Sequence, residues 1–162
     1  MHCKITGKAV TAVLHFVNQT PIDWFCKKQS TVETATYGAE GNAARTAIEQ
    51  MRANKLTFMY LGVPVIEPSI LFGDNQSVVD SSTIPHSKLN KRHLMLSYHF
   101  VREAMATKAY AYAFINGKHN PSDILSKHWN HATTWPCLKP MLFHEGDTIE
   151  TKELADRREK TT

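Results

Sequence analysis

Cysteine is scarce in this chain, with three among 162 residues, at positions 3, 26 and 137. An odd number spread this widely argues against a disulfide framework and suits a reducing compartment, with the thiols serving as packing groups. Long apolar runs are missing as well. None reaches the roughly 20 residues that a membrane-spanning helix needs, and the opening "MHCKITGKAV" lacks the apolar centre of a secretion signal. The expectation is an intracellular protein, cytoplasmic or nuclear, with no membrane partner. No internal repeat is visible, and the length fits one domain. Hydrophobic residues make up 42% of the chain, too many for a disordered segment and enough for a packed core.

Charge is unevenly spread. The net charge is +4, but His144 to Thr162 carries −2, so the rest carries +6. A basic body suits a polyanion such as nucleic acid, although many soluble domains carry as much charge. The last stretch is polar and without periodicity. The expected organisation is one domain over 1–143 and a flexible polar tail over 144–162.

The chain begins with strand-like text. "AVTAVLHFV", the turn signal "NQTP" and "IDWF" predict a β-hairpin between Lys4 and Phe25. From Thr34 to Leu61 the pattern turns helical, with Ala39, Ala43, Ala44, Ala47, Ile48 and Met51 at helical spacing. Gly38 and Gly41 weaken its first turns, and Gly62 and Pro64 end it. Ser69 to Phe72 predicts a short buried strand, and Asp74 to Ser81 one or two helical turns. "IPHSKLNKRH" is a basic loop. His93 to Thr107 predicts a helix with Met95, Tyr98, Val101 and Met105 along one face. "AYAYAFI" predicts a strand, and Pro121 can open a last helix, "PSDILSKHW". "WPCLKPMLF" is apolar and is expected to pack back on the body. This order defines an α/β domain with a mixed sheet.

Three carboxylates fall at element boundaries: Glu40 early in the first long helix, Asp74 at the end of the central strand, and Asp123 at the start of the last helix. Each has a plain reading, as a helix-dipole partner, a cap or a first-turn acid. Together, at the edge of an open α/β sheet, they would repel one another unless cations sat between them. Oxygen donors without a thiolate or imidazole cluster favour Mg²⁺ or Mn²⁺.

The wording of four blocks sharpens this. "KKQSTVETATYGAE", "FGDNQSVV", "HSKLNKRHLMLSYHFVRE" and "NPSDILSKHW", in this order, resemble the RNase H domain of copia-type retrotransposon polyproteins over about Lys4 to Trp129. The resemblance implies a ribonuclease H-like mixed sheet of five strands with flanking helices. It also implies a two-metal hydrolysis of the RNA strand of RNA–DNA hybrids during reverse transcription, using two Mg²⁺ (or Mn²⁺) ions. Residue by residue, the catalytic and metal-holding carboxylates fall on Glu40, Asp74 and Asp123, not on Glu33. Lys88, Lys91 and Arg92 are candidates for backbone contacts with the hybrid, with a solvated loop as the equal alternative. Asn75 and Gln76, beginning the next helix, would help hold substrate. A reverse transcriptase domain in the same polyprotein is the natural partner.

The resemblance also predicts departures. The family opens on a first strand that carries another catalytic Asp. No Asp precedes the hairpin here, and Asp23 falls on the returning strand. The first strand is therefore expected to be largely missing and activity to be impaired. Gly41 stands where a bulky residue usually follows the Glu, and His119 could imitate a mobile catalytic histidine. Two alternatives remain: a catalytically dead nucleic-acid-binding remnant, and a zinc-binding module drawing on His93, His99, His128, His131 and Cys137. The latter lacks paired zinc-ligand spacing.

Overall fold

The computed structural model describes residues 8–30, 35–89, 94–127 and 129–142. Cys3, Glu33, Lys91, Arg92, His93, His128 and the segment from 143 onward lie outside the described residues. Strands β1 (Val10–Val17) and β2 (Thr20–Lys28) form the expected antiparallel hairpin, with a register shift between His15 and Phe16. Along β1 the side chains of Thr11, Val13 and His15 are buried while Val10, Ala12 and Leu14 are half-buried, the period-2 pattern of a strand lying on a core. The long helix α1 (Thr36–Tyr60) follows, then β3 (Ser69–Gly73), α2 (Gln76–Thr83), α3 (Met95–Ala106), β4 (Tyr110–Phe114), a single 3₁₀ turn at Gly117–His119, α4 (Asp123–Ser126) and α5 (His131–Leu142). Strands β3 and β4 pair in parallel, joined by a crossover through α2 and α3, as parallel neighbours require.

The architecture is mixed α/β, as expected of a ribonuclease H-like domain. The mixed sheet, however, comes as two separate pairs, β1–β2 and β3–β4, with no ladder between β1 and β3. What unites them is α1, which packs against both β1 and β3 and against α3. Its apolar stripe of Ala39, Ala44, Ala47 and Ile48 is buried. Ala44 and Ile48 meet Val101 and Ala104 of α3 and Tyr110 of β4 in the core. Ile48 is fully enclosed, a burial that contributes about 2 kcal/mol. Small residues at 39, 44 and 47 let the helix approach closely. At its far half, Lys55 donates to the Ala109 carbonyl at 2.8 Å and lies over the Tyr110 ring, tying α1 to the start of β4.

Two expectations need correction. The inner face of α3 is Ser97, Tyr98, Val101 and Ala104, with Leu94 just before it; Met95 is exposed and Met105 only half-buried. The helix is turned by about one residue from the expected face. The described part of the apolar "WPCLKPMLF" stretch, Trp135 to Leu142, does not bury itself: it lies within α5, which touches β2 yet has no buried residue. Pro136 and Pro140 lie inside this helix, and each removes a backbone donor.

Gly41, inside α1, has nothing within 4 Å of the position where a Cβ would stand. Alanine there gains helix propensity without a clash. Gly41→Ala is expected to stabilise the fold by about 1 kcal/mol, seen as a higher urea midpoint at unchanged slope. A lower midpoint would contradict this packing.

Candidate functional site

Three elements deliver the carboxylates. Glu40 sits one turn into α1. The start of that helix is held by Gln29, at the end of the hairpin, whose Nε2 donates to the Ala39 carbonyl and to Thr11 Oγ1, both at 2.9 Å. Gln29 Oε1 is buried without a partner, so the side chain is held by its donor end alone. Asp74 follows β3 directly. Gly73 is required before it, because a Cβ at 73 would stand 2.6 Å from the Tyr112 hydroxyl. Gly117, in the 3₁₀ turn, packs beside Asp74, with its Cβ position 3.6 Å from Oδ2. Asp123 opens α4, and α4 is tied to β2 by Cys26 Sγ, which donates to the Leu125 carbonyl at 3.1 Å.

The electrostatics join these groups. Burial pushes the Glu40 carboxyl up to about 7 from a usual 4.5, and the charges of Asp74 and Asp123 push the same way, with Lys127 opposing. A helix-dipole role would favour the charged form, so that plain reading does not account for Glu40. Burial also holds the Tyr112 phenol well above its usual range, helped by Glu40 and Asp74. Tyr112 therefore stays protonated, close enough to both acids to feel their charge.

The plain reading of Asp74 as a cap fails too. The cap of α2 is Asn75, whose side-chain oxygen accepts from the Ser77 and Val78 backbone N–H groups at 3.1 and 3.4 Å. Gln76 is also engaged, donating to Asp80 Oδ1 at 2.6 Å. Both residues begin the next helix as expected, with Asn75 Oδ1 and Gln76 Nε2 engaged within it. Asp123 keeps part of its plain reading: Lys127, one turn on, pairs with its Oδ2 at 2.5 Å.

Lys88 is exposed. The loop before it is pinned by Arg102, which donates to the carbonyls of Ser81, Ile84 and Pro85, and by Tyr98, which donates to the Ser87 carbonyl. His119 is exposed in its 3₁₀ turn. Among the described residues, no three His, Cys, Asp or Glu side chains stand close enough to hold one metal ion. That holds for His99, His131 and Cys137 of the zinc reading. It holds equally for Glu40, Asp74 and Asp123, which interact by charge without closing on a common point.

Comparison with known proteins fits the frame. Over 120 residues the chain is 28% identical to the Retrovirus-related Pol polyprotein from transposon TNT 1-94 of Nicotiana tabacum, covering 74% of this chain and 9% of the relative. The corresponding polyproteins from transposons RE1 and RE2 of Arabidopsis thaliana are 23% identical over 114 residues, covering 69% of this chain and 8% of each relative. The chain is thus similar to a stretch of transposon Pol polyproteins and spans less than a tenth of their length. No family model matches it, and no solved structure does. No helix among the described residues is long and apolar enough to cross a membrane.

A carboxyl whose folded pKa is raised contributes stability below its unfolded value, and that stability is lost as pH rises to the folded value. Without divalent ions, the protein is expected to lose up to a few kcal/mol between pH 4.5 and about 7 through Glu40. Glu40→Gln removes that loss. Urea unfolding across this range checks it, and identical pH slopes for the two proteins would contradict it.

Proposed function

We propose that this chain is a ribonuclease H-like domain of a transposon Pol polyprotein, acting on the RNA strand of RNA–DNA hybrids made by a reverse transcriptase domain of the same polyprotein. The observation that carries the reading is the electrostatic coupling of Glu40 to Asp74 and Asp123, which come from three separate elements, with Lys127 among the opposing charges. Hard oxygen donors in mutual repulsion suit Mg²⁺ or Mn²⁺. When bound, two such ions supply an activated water and stabilise the leaving 3′ oxygen. The chain's own residues do the rest. Asp74 acts by charge on Glu40, Tyr112 stays protonated near both, and Lys127 holds Asp123 until a cation competes for it. Lys88, with Lys91 and Arg92, would meet the phosphate backbone, and an A-form-like hybrid is read by shape and 2′-hydroxyls rather than by base edges.

A second reading, nucleic-acid binding without turnover, draws on the spacing of the three acids, which is too wide to share one ion. A labelled RNA–DNA hybrid with Mg²⁺ or Mn²⁺ separates the two. The chain by itself is expected to bind hybrid and cut it poorly. A version carrying an added first strand with its Asp is expected to cut, and Asp74→Asn in that version to abolish cutting. Binding without cleavage by the completed version favours the second reading. Cleavage undiminished by Asp74→Asn rules out the assigned site.

A further inference from the structure

The chain has three tryptophans, and all three are exposed: Trp24 at 69%, Trp129 at 46% and Trp135 at 38%. Tryptophan is on average a well-buried residue, so an exposed set needs a reason. All three belong to one region. Residues two apart on a strand share a face, so Trp24 lies on the same face of β2 as Cys26, and Cys26 bonds to the Leu125 carbonyl of α4. Trp129 follows α4, and Trp135 lies in α5, which packs against β2.

Two of the rings are held in place. The Trp129 indole N–H donates to the Asp123 carbonyl at 3.1 Å, and Lys127 Nζ stands 5.8 Å from the ring centre. An aromatic plane with a cation over it is thus fixed next to a candidate-site residue. Trp135 stacks on His131, with ring centres 5.6 Å apart and planes 18° from parallel. The charge of the region is mostly of one sign. β2 and residues 124–142 carry Lys27, Lys28, Lys127 and Lys139, against Asp23 as their one acid, and Lys127 is shared with Asp123. Exposed π-faces among cations match a ligand that strings flat rings on a negative backbone.

We propose that this surface is a stacking platform for single-stranded nucleic acid, with unpaired bases laid on Trp24 and Trp129 and the phosphates following the lysines. Trp135, seated on His131, extends it. A duplex does not suit such a surface, because paired bases hide their faces inside the stack, whereas an unpaired base offers a whole face to a ring. A protein partner suits it less: the centres of protein contacts are depleted of lysine, and here Lys127 stands over Trp129 itself. Stacking accepts every base, so no sequence preference is expected, and DNA and RNA strands both carry the chemistry. The platform adjoins the candidate site without being part of it, since Trp129 is bonded to the main-chain carbonyl of Asp123 and not to its carboxylate. The inference stands on exposure, ring placement and charge, and does not rest on the nuclease reading.

Quenching of the intrinsic tryptophan fluorescence of the intact chain, without divalent ions, tests it. The probes are oligothymidylate and oligouridylate of about ten nucleotides, and an abasic deoxyribose-phosphate strand of the same length and charge. At least one base-bearing strand is expected to quench, and to bind roughly fivefold or more tighter than the abasic strand; the better binder identifies the sugar that the platform takes. By anisotropy of labelled strands, Trp24→Ala and Trp129→Ala are each expected to weaken binding roughly fivefold or more, and Trp24→Phe, which keeps a stacking face, to stay within about twofold of the parent. Trp24 is exposed, so its variants read stacking rather than folding. Equal binding of the abasic strand, the mark of phosphate attraction alone, would overturn the proposal. So would a Trp24→Ala protein that binds base-bearing strands as the parent does, or fluorescence that changes with protein concentration and not with strand, the mark of a protein contact. Hybrid cleavage is no part of the readout, so failure of the nuclease reading leaves this result unchanged, and failure of stacking leaves that reading standing.

Discussion

Everything in this molecule hangs on α1. One helix of 25 residues crosses both strand pairs, supplies the small residues that let α3 and β4 close over Ile48, and presents Glu40 from its first turns. Because β1 and β3 share no ladder, the hairpin is oriented toward the parallel pair chiefly through this helix. Two further ties assist: Gln29 clamps the end of β2 to the beginning of α1, and Cys26 links β2 to α4. The helix therefore sets where the three acids stand relative to one another.

Those acids are held in an unbalanced state. Asp74 is not spent as the cap of α2, a place Asn75 has taken, and Gly73 lets Tyr112 lie against the backbone that leads to it. Glu40 is half-buried and bears the cost as a carboxyl whose pKa is raised to about 7. A protein built only for stability would place an apolar or paired side chain there. Lys127 answers Asp123 but is partly exposed and one turn away on the same helix, an ion pair that a divalent cation can replace at small cost. Burial and the repulsion of Asp74 and Asp123 act together to raise the Glu40 carboxyl.

Much of this was legible in the chain. The α1 periodicity, the turn signals of the hairpin and the position of all three acids at element boundaries follow from local rules, and the elements from α1 to α4 formed within two or three residues of expectation, whereas α5 is a helix where only an apolar stretch was expected. What was not legible is non-local. That β1 and β3 share no ladder is one such feature. The approach of Tyr112 to Gly73 joins positions 39 residues apart. The rotation of α3 by one residue exchanged Met95 for Leu94 because both are apolar and periodicity cannot choose between them. Lys127, by contrast, was available: four residues after Asp123 on a helix is the spacing of an ion pair.

The most direct test of the central claim, that Glu40, Asp74 and Asp123 form one charge-coupled unit awaiting a cation, is the titration of the Glu40 side-chain carboxyl by carbon NMR with and without Mg²⁺. The account predicts a midpoint of about 7 without the ion and a fall toward the ordinary carboxylate range as Mg²⁺ is added. A midpoint near 4.5 without the ion, or one that Mg²⁺ leaves unmoved, would contradict it.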